Sequence, residues 1–203
     1  LVGTGKYENK DIAVQAIEAS EAEIVTVAIR RVELDKSLRS EPILNYISPK
    51  KYTILPNTAG CFNAKEAIRI ARLGREILDG KNLLKLEVLK DKETLLPLMD
   101  ETLLAAKELV KDGFEIMVYC TDELEYALKL EEIGCVAIMP LAAPIGSGQG
   151  IVNPDAINSI VEKISQPVII DAGIGTASEV TVAMEMGCAG VLLNTAIAKA
   201  KKP

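Results

Sequence analysis

Histidine is absent from these 203 residues, and that absence limits the chemistry available to them. They cannot supply a Ser-His-Asp or Cys-His catalytic site or an imidazole-bound metal. Any proton transfer must therefore use Asp, Glu, Lys, Tyr, Cys or water. The cysteines are few and widely spaced, and they form no Cys-x-x-Cys pair, so we expect buried apolar side chains in a reducing cytoplasm and no metal or disulfide framework. They are Cys61, Cys120, Cys135 and Cys188.

Long apolar runs and basic stripes are also missing. No run approaches the roughly 20 apolar residues that span a bilayer, and no signal peptide is visible at the start of the sequence. The net charge is −6, so we expect neither a membrane nor a nucleic acid as partner. Because 49% of the residues are hydrophobic and no linker divides them, we expect one globular domain over residues 1–203.

Short apolar runs recur along the whole sequence and alternate with segments of helical period. Continuous apolar runs are typical of parallel strands covered by helices, and eight such units favour a closed (β/α)8 TIM barrel over an open sheet. Because the sequence ends soon after the eighth run, we expect its last helix to be missing from this chain. The predicted strands are residues 1–4, 24–29, 53–58, 83–88, 115–120, 135–140, 167–172 and 190–195.

Several predicted helices have recognisable ends. Asn63, Asp122 and Thr176 each precede an acidic residue by three positions, the spacing of a capping box. Asn153 precedes a proline suited to the first helical position. Gly134 is placed to end the helix that begins after Asp122.

Lys85 and Glu87 stand out as two charges within the apolar strand LLKLEVL. Residues two apart share a face of a strand, so both side chains point the same way. Burial lowers the pKa of a lysine, and a neutral amine can attack a carbonyl group. Glu87 would oppose that shift if ionised, and it could also carry the proton that imine chemistry must move. The alternative is a purely structural ion pair, although such pairs are seldom net stabilising.

Polar and glycine residues gather at the predicted carboxyl ends of the strands, where barrel enzymes keep their active sites. Asp171 ends the seventh strand and is a second candidate acid or base, unless it only caps a helix or orders a loop. The following glycines in 172–175, with 194–196 after the eighth strand, fit a phosphate site built from backbone N–H groups. Thr195 can add a hydroxyl donor. The run 146–150 supplies further glycines, unless it is a plain mobile loop.

Taken together, these motifs resemble the bacterial thiazole synthase family, ThiG, of thiamine biosynthesis. The resemblance runs from the first residues to Lys201, with the motifs in the family's order. It is carried by GTGKY at 3–7, Arg30-Arg31, LPNTAG at 55–60, KLEVL around Lys85, PIGSGQG at 144–150, DAGIG at 171–175 and VLLNTAIA at 191–198.

The resemblance implies a (β/α)8 barrel that condenses three substrates into thiazole phosphate. These are 1-deoxy-D-xylulose 5-phosphate, dehydroglycine (2-iminoacetate) and the thiocarboxylate of the sulfur-carrier protein ThiS. It places the Schiff-base lysine at Lys85 and acid/base carboxylates at Glu87 and Asp171, with no metal or organic cofactor. It also implies a homo-oligomer, commonly a tetramer. The implied substrate-binding residues are Gly146, Ala172, Gly173, Asn194 and Thr195.

Two other functions fit the same residues. An aldolase-type barrel enzyme acting on a phosphorylated sugar would use the same lysine, carboxylates and loops, but it would need no sulfur carrier. A non-catalytic protein that binds a sugar phosphate would form no covalent adduct on Lys85.

Overall fold

Eight strands alternate with helices in the computed structural model, which describes residues 1–30 and 43–203. Arg31 of the Arg30-Arg31 pair lies outside the described residues. The strands are β1 (Val2–Gly3), β2 (Ile24–Ala28), β3 (Thr53–Asn57), β4 (Leu83–Leu86), β5 (Glu115–Cys120), β6 (Ala137–Pro140), β7 (Ile169–Ile170) and β8 (Gly190–Val191). The described helices are α1 (Lys10–Ala19), α2 (Ala64–Ile77), α3 (Met99–Lys111), α4 (Leu124–Ile133), α5 (Pro154–Lys163), α6 (Ala177–Glu185) and α7 (Thr195–Ala198), with a 3-10 turn at Ile43–Asn45.

The strands close into a barrel of parallel neighbours. Strands β1 to β6 form one sheet in sequence order, and β7 pairs with β8. A parallel bridge between Ile138 and Val168 joins β6 to the start of β7, and another between Val2 and Leu193 joins β8 to β1. The N–H of Gly3 donates to the carbonyl of Leu193 at 2.8 Å across that second seam. The predicted (β/α)8 barrel is therefore confirmed.

Alternating side chains divide each strand between two apolar layers. Leu84 and Leu86 of β4 belong to the large core between the strands and the surrounding helices. A smaller cluster inside the barrel joins side chains from the other faces of β3, β5, β6 and β7. Because side chains alternate along a strand, Lys85 points away from the large core and into the barrel, where it lines a cavity.

Most of the predicted helix ends are confirmed. The side chains of Asn63 and Asn153 accept the N–H groups of Glu66 and Ala156, at 2.9 and 3.3 Å. Thr176 forms a complete capping box at the start of α6. The prediction for Asp122 is wrong, because α4 begins one residue later and Glu123 occupies the cap position without a side-chain hydrogen bond.

Three further sequence predictions concern the cysteines, the last helix and membrane-spanning segments. All four cysteines are buried and free, as expected for apolar packing residues. A single helical turn, α7, follows β8. Over residues 1–30 and 43–203, no helix is both long and apolar enough to cross a membrane.

Candidate active site

Lys85 lies between two carboxylates inside the barrel. Its Nζ donates to Glu87 Oε1 at 2.5 Å and lies 2.9 Å from Asp171 Oδ2. The three side chains are 2%, 8% and 4% exposed, so water screens these contacts very little. Among the described residues, none makes a hydrogen bond to Asp171 Oδ2. That oxygen is close enough to Lys85 for an ion pair and still has an acceptor position open to a donor.

The pKa of Lys85 differs from the sequence-based expectation. Burial acts to lower it, but the charges of Asp171 and Glu87 act in the opposite direction, and the net result is a raised pKa. The prediction that burial leaves this amine neutral is therefore wrong for the free protein, because two carboxylates, at 2.5 and 2.9 Å, lie within ion-pair distance of it. For Asp171, burial and the charge of Glu87 outweigh Lys85 and raise the pKa to about 6.

Thr58 holds the backbone that carries Glu87. Its hydroxyl donates to the Glu87 carbonyl at 2.8 Å and accepts the Glu87 N–H at 2.8 Å. All three groups are buried, so each polar atom needs this partner. Tyr119 of β5 places its ring 5.4 Å from the Lys85 nitrogen, close enough for a cation–π contact. Thr58 thus holds the backbone of Glu87, and Tyr119 contacts the ammonium of Lys85.

All the predicted site residues line one cavity of about 780 Å³ at the carboxyl ends of the strands. That volume lies within the usual range for small-molecule sites. The three catalytic candidates lie on β4 and at the ends of β4 and β7. The others come from the loops after β6 and β7 and from the start of α7 after β8. The predicted site residues are Lys85, Glu87, Asp171, Gly146, Ala172, Gly173, Asn194 and Thr195. The structure brings them together, while their individual roles remain predictions.

The charged residues around this cavity are mostly basic, although the chain as a whole is acidic. Five cationic side chains line it, and Glu87 and Asp171 are the carboxylates among the described lining residues. Overall the sequence has 29 acidic and 23 basic residues. Such a local reversal of charge favours an anionic ligand. The cations are Lys6, Arg30, Lys85, Lys92 and Lys199.

Several backbone N–H groups of the glycine loops are already used within the protein. Gly150 donates to the Gly173 carbonyl at 2.8 Å, which ties the loop after β6 to the loop after β7. Gly175 and Thr176 both donate to the Glu179 carboxylate, at 2.7 and 3.0 Å. The expected set of phosphate-facing donors is thus smaller than the sequence predicted, because the capping box takes those at the start of α6.

Close packing explains two of these glycines. A β-carbon on Gly173 would clash with the backbone nitrogen of Ala143, and Gly173 has a φ of +99°. A β-carbon on Gly175 would lie 2.8 Å from the carbonyl oxygen of Gly148. Both glycines allow the two loops to approach closely beside Asp171.

Sequence reasoning did not assign a function to the basic loop residues of the cavity. In the sequence, Lys6 stands out only as part of GTGKY, and Arg30 only as part of an arginine pair. Lys92 and Lys199 carried no motif. Their shared signal is positive charge near a strand end, which is too common on protein surfaces to identify a site without the fold.

A family model for thiazole biosynthesis protein ThiG matches residues 1–203. The chain belongs to this family. The thiazole synthase of Alkalilimnicola ehrlichii is 59% identical over 203 residues, covering 100% of this chain and 78% of that protein. A thiazole synthase of Maricaulis maris is 60% identical over 204 residues, covering 100% and 75%.

Solved structures support the same fold. The BexX/CysO complex of Amycolatopsis orientalis contains a chain that matches with a TM-score of 0.87 and 32% identity, covering 100% of this chain and 82% of that one. The YdjI aldolase of Escherichia coli K12 matches with a TM-score of 0.61 and 15% identity, over 96% and 75% of the two chains. At 15% identity, the second likeness concerns the barrel fold alone.

Proposed function

We propose that this ThiG family member is a thiazole synthase acting through an imine on Lys85. It would join 1-deoxy-D-xylulose 5-phosphate, dehydroglycine and sulfur from the ThiS thiocarboxylate into thiazole phosphate. The observation that carries this proposal is the buried Lys85 ammonium between Glu87 and Asp171, in a mostly cationic cavity. Relatives of 57 to 60% identity that bear the name thiazole synthase support the choice of reaction.

The first step requires Lys85 to lose a proton. In the free protein the proton belongs on the lysine, because its pKa is raised. Asp171, whose pKa is about 6, is a stronger base than an ordinary aspartate and has an oxygen 2.9 Å from the amine. Transfer to Asp171 frees the lone pair of Lys85, which attacks the C2 ketone of the sugar. Loss of water then gives the protonated imine.

The imine makes the following steps possible. Its positive charge acidifies the proton at C3, and Glu87 or Asp171 removes that proton. Reprotonation moves the carbonyl group to C3, where the thiocarboxylate sulfur attacks. Transfer of the carrier's acyl group from sulfur to the C3 oxygen leaves the sulfur on C3, and the carrier departs as its carboxylate. Water is lost, and dehydroglycine condenses with the sulfur. Its nitrogen replaces that of Lys85 at C2 as the ring closes, which sets the lysine free. The covalent catalyst throughout is a side chain of this protein.

The proposed sulfur donor is a protein, ThiS, and the shape of the cavity is compatible with such a partner. Gly146 and Gly148 line the cavity, so the loop after β6 can border a path for a narrow Gly-Gly tail. The 32% identical chain solved together with CysO supports a protein partner at this fold. We further propose a cytoplasmic homotetramer, as the family resemblance implies. Light scattering after gel filtration measures the assembly directly, and a monomer would contradict this part.

The decisive experiment traps the imine. The protein is incubated with 1-deoxy-D-xylulose 5-phosphate and borohydride, and digested peptides are analysed by mass spectrometry. A reduced sugar adduct is expected on Lys85, and none in Lys85→Ala. Adding thiocarboxylated ThiS and dehydroglycine should yield thiazole phosphate, while carrier with an ordinary carboxylate should not.

The same experiment separates the alternative functions. An aldolase would cleave its sugar phosphate into smaller carbonyl products without any carrier. A non-catalytic binding protein would bind the sugar without an adduct. Either result would rule out a thiazole synthase.

A further inference from the structure

Lys6 lies on the seam that closes the barrel. The residues before it pair with the strand end beyond β8, through the hydrogen bond from Gly3 to Leu193. A β-carbon on Gly3 would lie 2.8 Å from the β-carbon of Asn194, so only glycine allows this approach. Thr4 anchors the turn on its other side by donating to the carbonyl of Thr26 at 3.0 Å. The turn carrying Lys6 is therefore seated directly on the segment after β8.

The backbone of Lys6 is strained in a way that lysine seldom tolerates. Its φ is +69°, in the left-handed region that favours glycine. Such a conformation is less favourable for a residue with a β-carbon than for glycine. Strain alone identifies no function, but it singles out a position where the surroundings impose the conformation.

The ammonium of Lys6 meets two residues already predicted to bind the sugar phosphate. Its Nζ donates to Thr195 Oγ1 at 3.2 Å. A β-carbon on Gly146 would lie 3.0 Å from the same Nζ and 3.5 Å from Thr195 Oγ1. The ammonium, the hydroxyl and the open face of the glycine thus converge on one point of the cavity wall.

Lys6 also retains most of its capacity to bind an anion. No described carboxylate forms an ion pair with it, whereas Arg30 on the same cavity is paired with Glu66 at 3.2 Å. An ammonium group has three N–H donors, and Thr195 accepts one of them. Lysine binds phosphate as a point charge, which suits a dianion beside a hydroxyl donor.

We propose that Lys6 binds the phosphate group of the sugar substrate, together with the Thr195 hydroxyl and the Gly146 backbone. This inference rests on the proposed function. It adds a charged side chain to the predicted substrate-binding residues in the loops after β6, β7 and β8, none of which is charged. It also accounts for the phosphate-facing donors that the Gly175 and Thr176 amides do not supply, since Glu179 occupies them.

The test compares Lys6→Met with the wild type on two sugars that differ only in the phosphate group. Borohydride trapping is measured against the concentration of 1-deoxy-D-xylulose 5-phosphate and of unphosphorylated 1-deoxy-D-xylulose. The half-saturating concentration of the phosphorylated sugar should rise about 10- to 100-fold, the size expected for losing a hydrogen bond to a charged group. That of the unphosphorylated sugar should change less than about twofold.

Two further variants act as controls. Lys129→Met removes the same charge from the exposed surface of α4, where Lys129 pairs with Glu125, and it should leave both values unchanged. Lys6→Gly suits the positive φ, so it should melt at or above the wild-type temperature and still lose affinity for the phosphorylated sugar. Equal weakening of both sugars, or of neither, would overturn the proposal.

Calorimetric titration keeps this test independent of the imine. If the wild type traps no adduct, the proposed reaction fails, while binding of 1-deoxy-D-xylulose 5-phosphate and of inorganic phosphate can still be compared in wild type and Lys6→Met. Weaker binding of both to the variant supports Lys6 as a phosphate ligand. Equal binding contradicts it.

Discussion

Replacing Lys85 with methionine should lower the free energy of unfolding, because it leaves two buried carboxylates without their cation. The substitution keeps an apolar chain of similar length but removes the positive charge between Glu87 and Asp171. Those side chains are 8% and 4% exposed, so water cannot replace the lost partner. Breaking a buried ion pair from one side costs about 3–5 kcal/mol. For a chain of this size that corresponds to a fall in melting temperature of roughly 6–20 °C.

The loss of stability in Lys85→Met should grow as the pH rises. Burial already raises the pKa of Asp171 to about 6 with Lys85 present, and removing Lys85 raises it further. A carboxyl whose pKa is higher in the folded state favours folding at low pH, and this contribution is lost as the pH rises through the folded value. The variant should therefore be far less stable than the wild type near pH 8 and closer to it near pH 5.

Urea unfolding followed by circular dichroism at these two pH values measures both effects. Lys129→Met again serves as the control, because its pair with Glu125 is solvent-exposed and should contribute little at either pH. A loss below about 1 kcal/mol at pH 8, or an equal loss at both pH values, would refute the view that the buried carboxylates depend on this lysine.

Three further predictions concern the same cavity. If Asp171 is the base, the rate of imine trapping should fall about tenfold per pH unit below about pH 6, and a flat profile down to about pH 5 would contradict this role. Gly173→Ala should lower the free energy of unfolding by roughly 1–3 kcal/mol, because the new β-carbon adds backbone strain and clashes with Ala143. Gly113→Ala should cost clearly less, because Gly113 also has a positive φ but has open space around it. Equal losses in urea unfolding would argue against the close loop contact. Thr58→Val should cost about 1–3 kcal/mol in the same assay, because it leaves the buried carbonyl and N–H groups of Glu87 without a partner. Thr58→Ser keeps the hydroxyl and should restore both hydrogen bonds. A valine variant as stable as the wild type would contradict that account.

Much of the barrel could be predicted because each strand is covered on both faces and so reads as a continuous apolar run. The strand LLKLEVL interrupts that pattern with two charges, and the alternation of side chains correctly placed them on one face. The 2.5 Å contact between Lys85 and Glu87 follows from that local geometry. The position of Asp171 beside the same amine could be expected only in outline, from the shared edge of a parallel sheet.

The errors arose where distant segments determine the outcome. The pKa of Lys85 depends on how closely a carboxylate from β7 approaches an amine on β4, and no spacing in the sequence gives that distance. The glycine loops were predicted to offer free N–H groups, but Glu179 and Gly173 accept several of them after folding. Lys6 joins the cavity only because β1 closes the barrel against the segment after β8.

That seam has a consequence for how the protein acquires its ligand affinity. Lys6 and Thr195 are 189 positions apart, so their contact depends on one of the longest-range pairings in the molecule. Such pairings carry a large entropic cost of chain closure and slow folding. During synthesis, a nascent chain would hold Lys6 long before the segment it docks against emerges. Phosphate affinity should therefore arise only once the segment after β8 has docked against β1, and a bound phosphoryl group would hold these two parts of the barrel together.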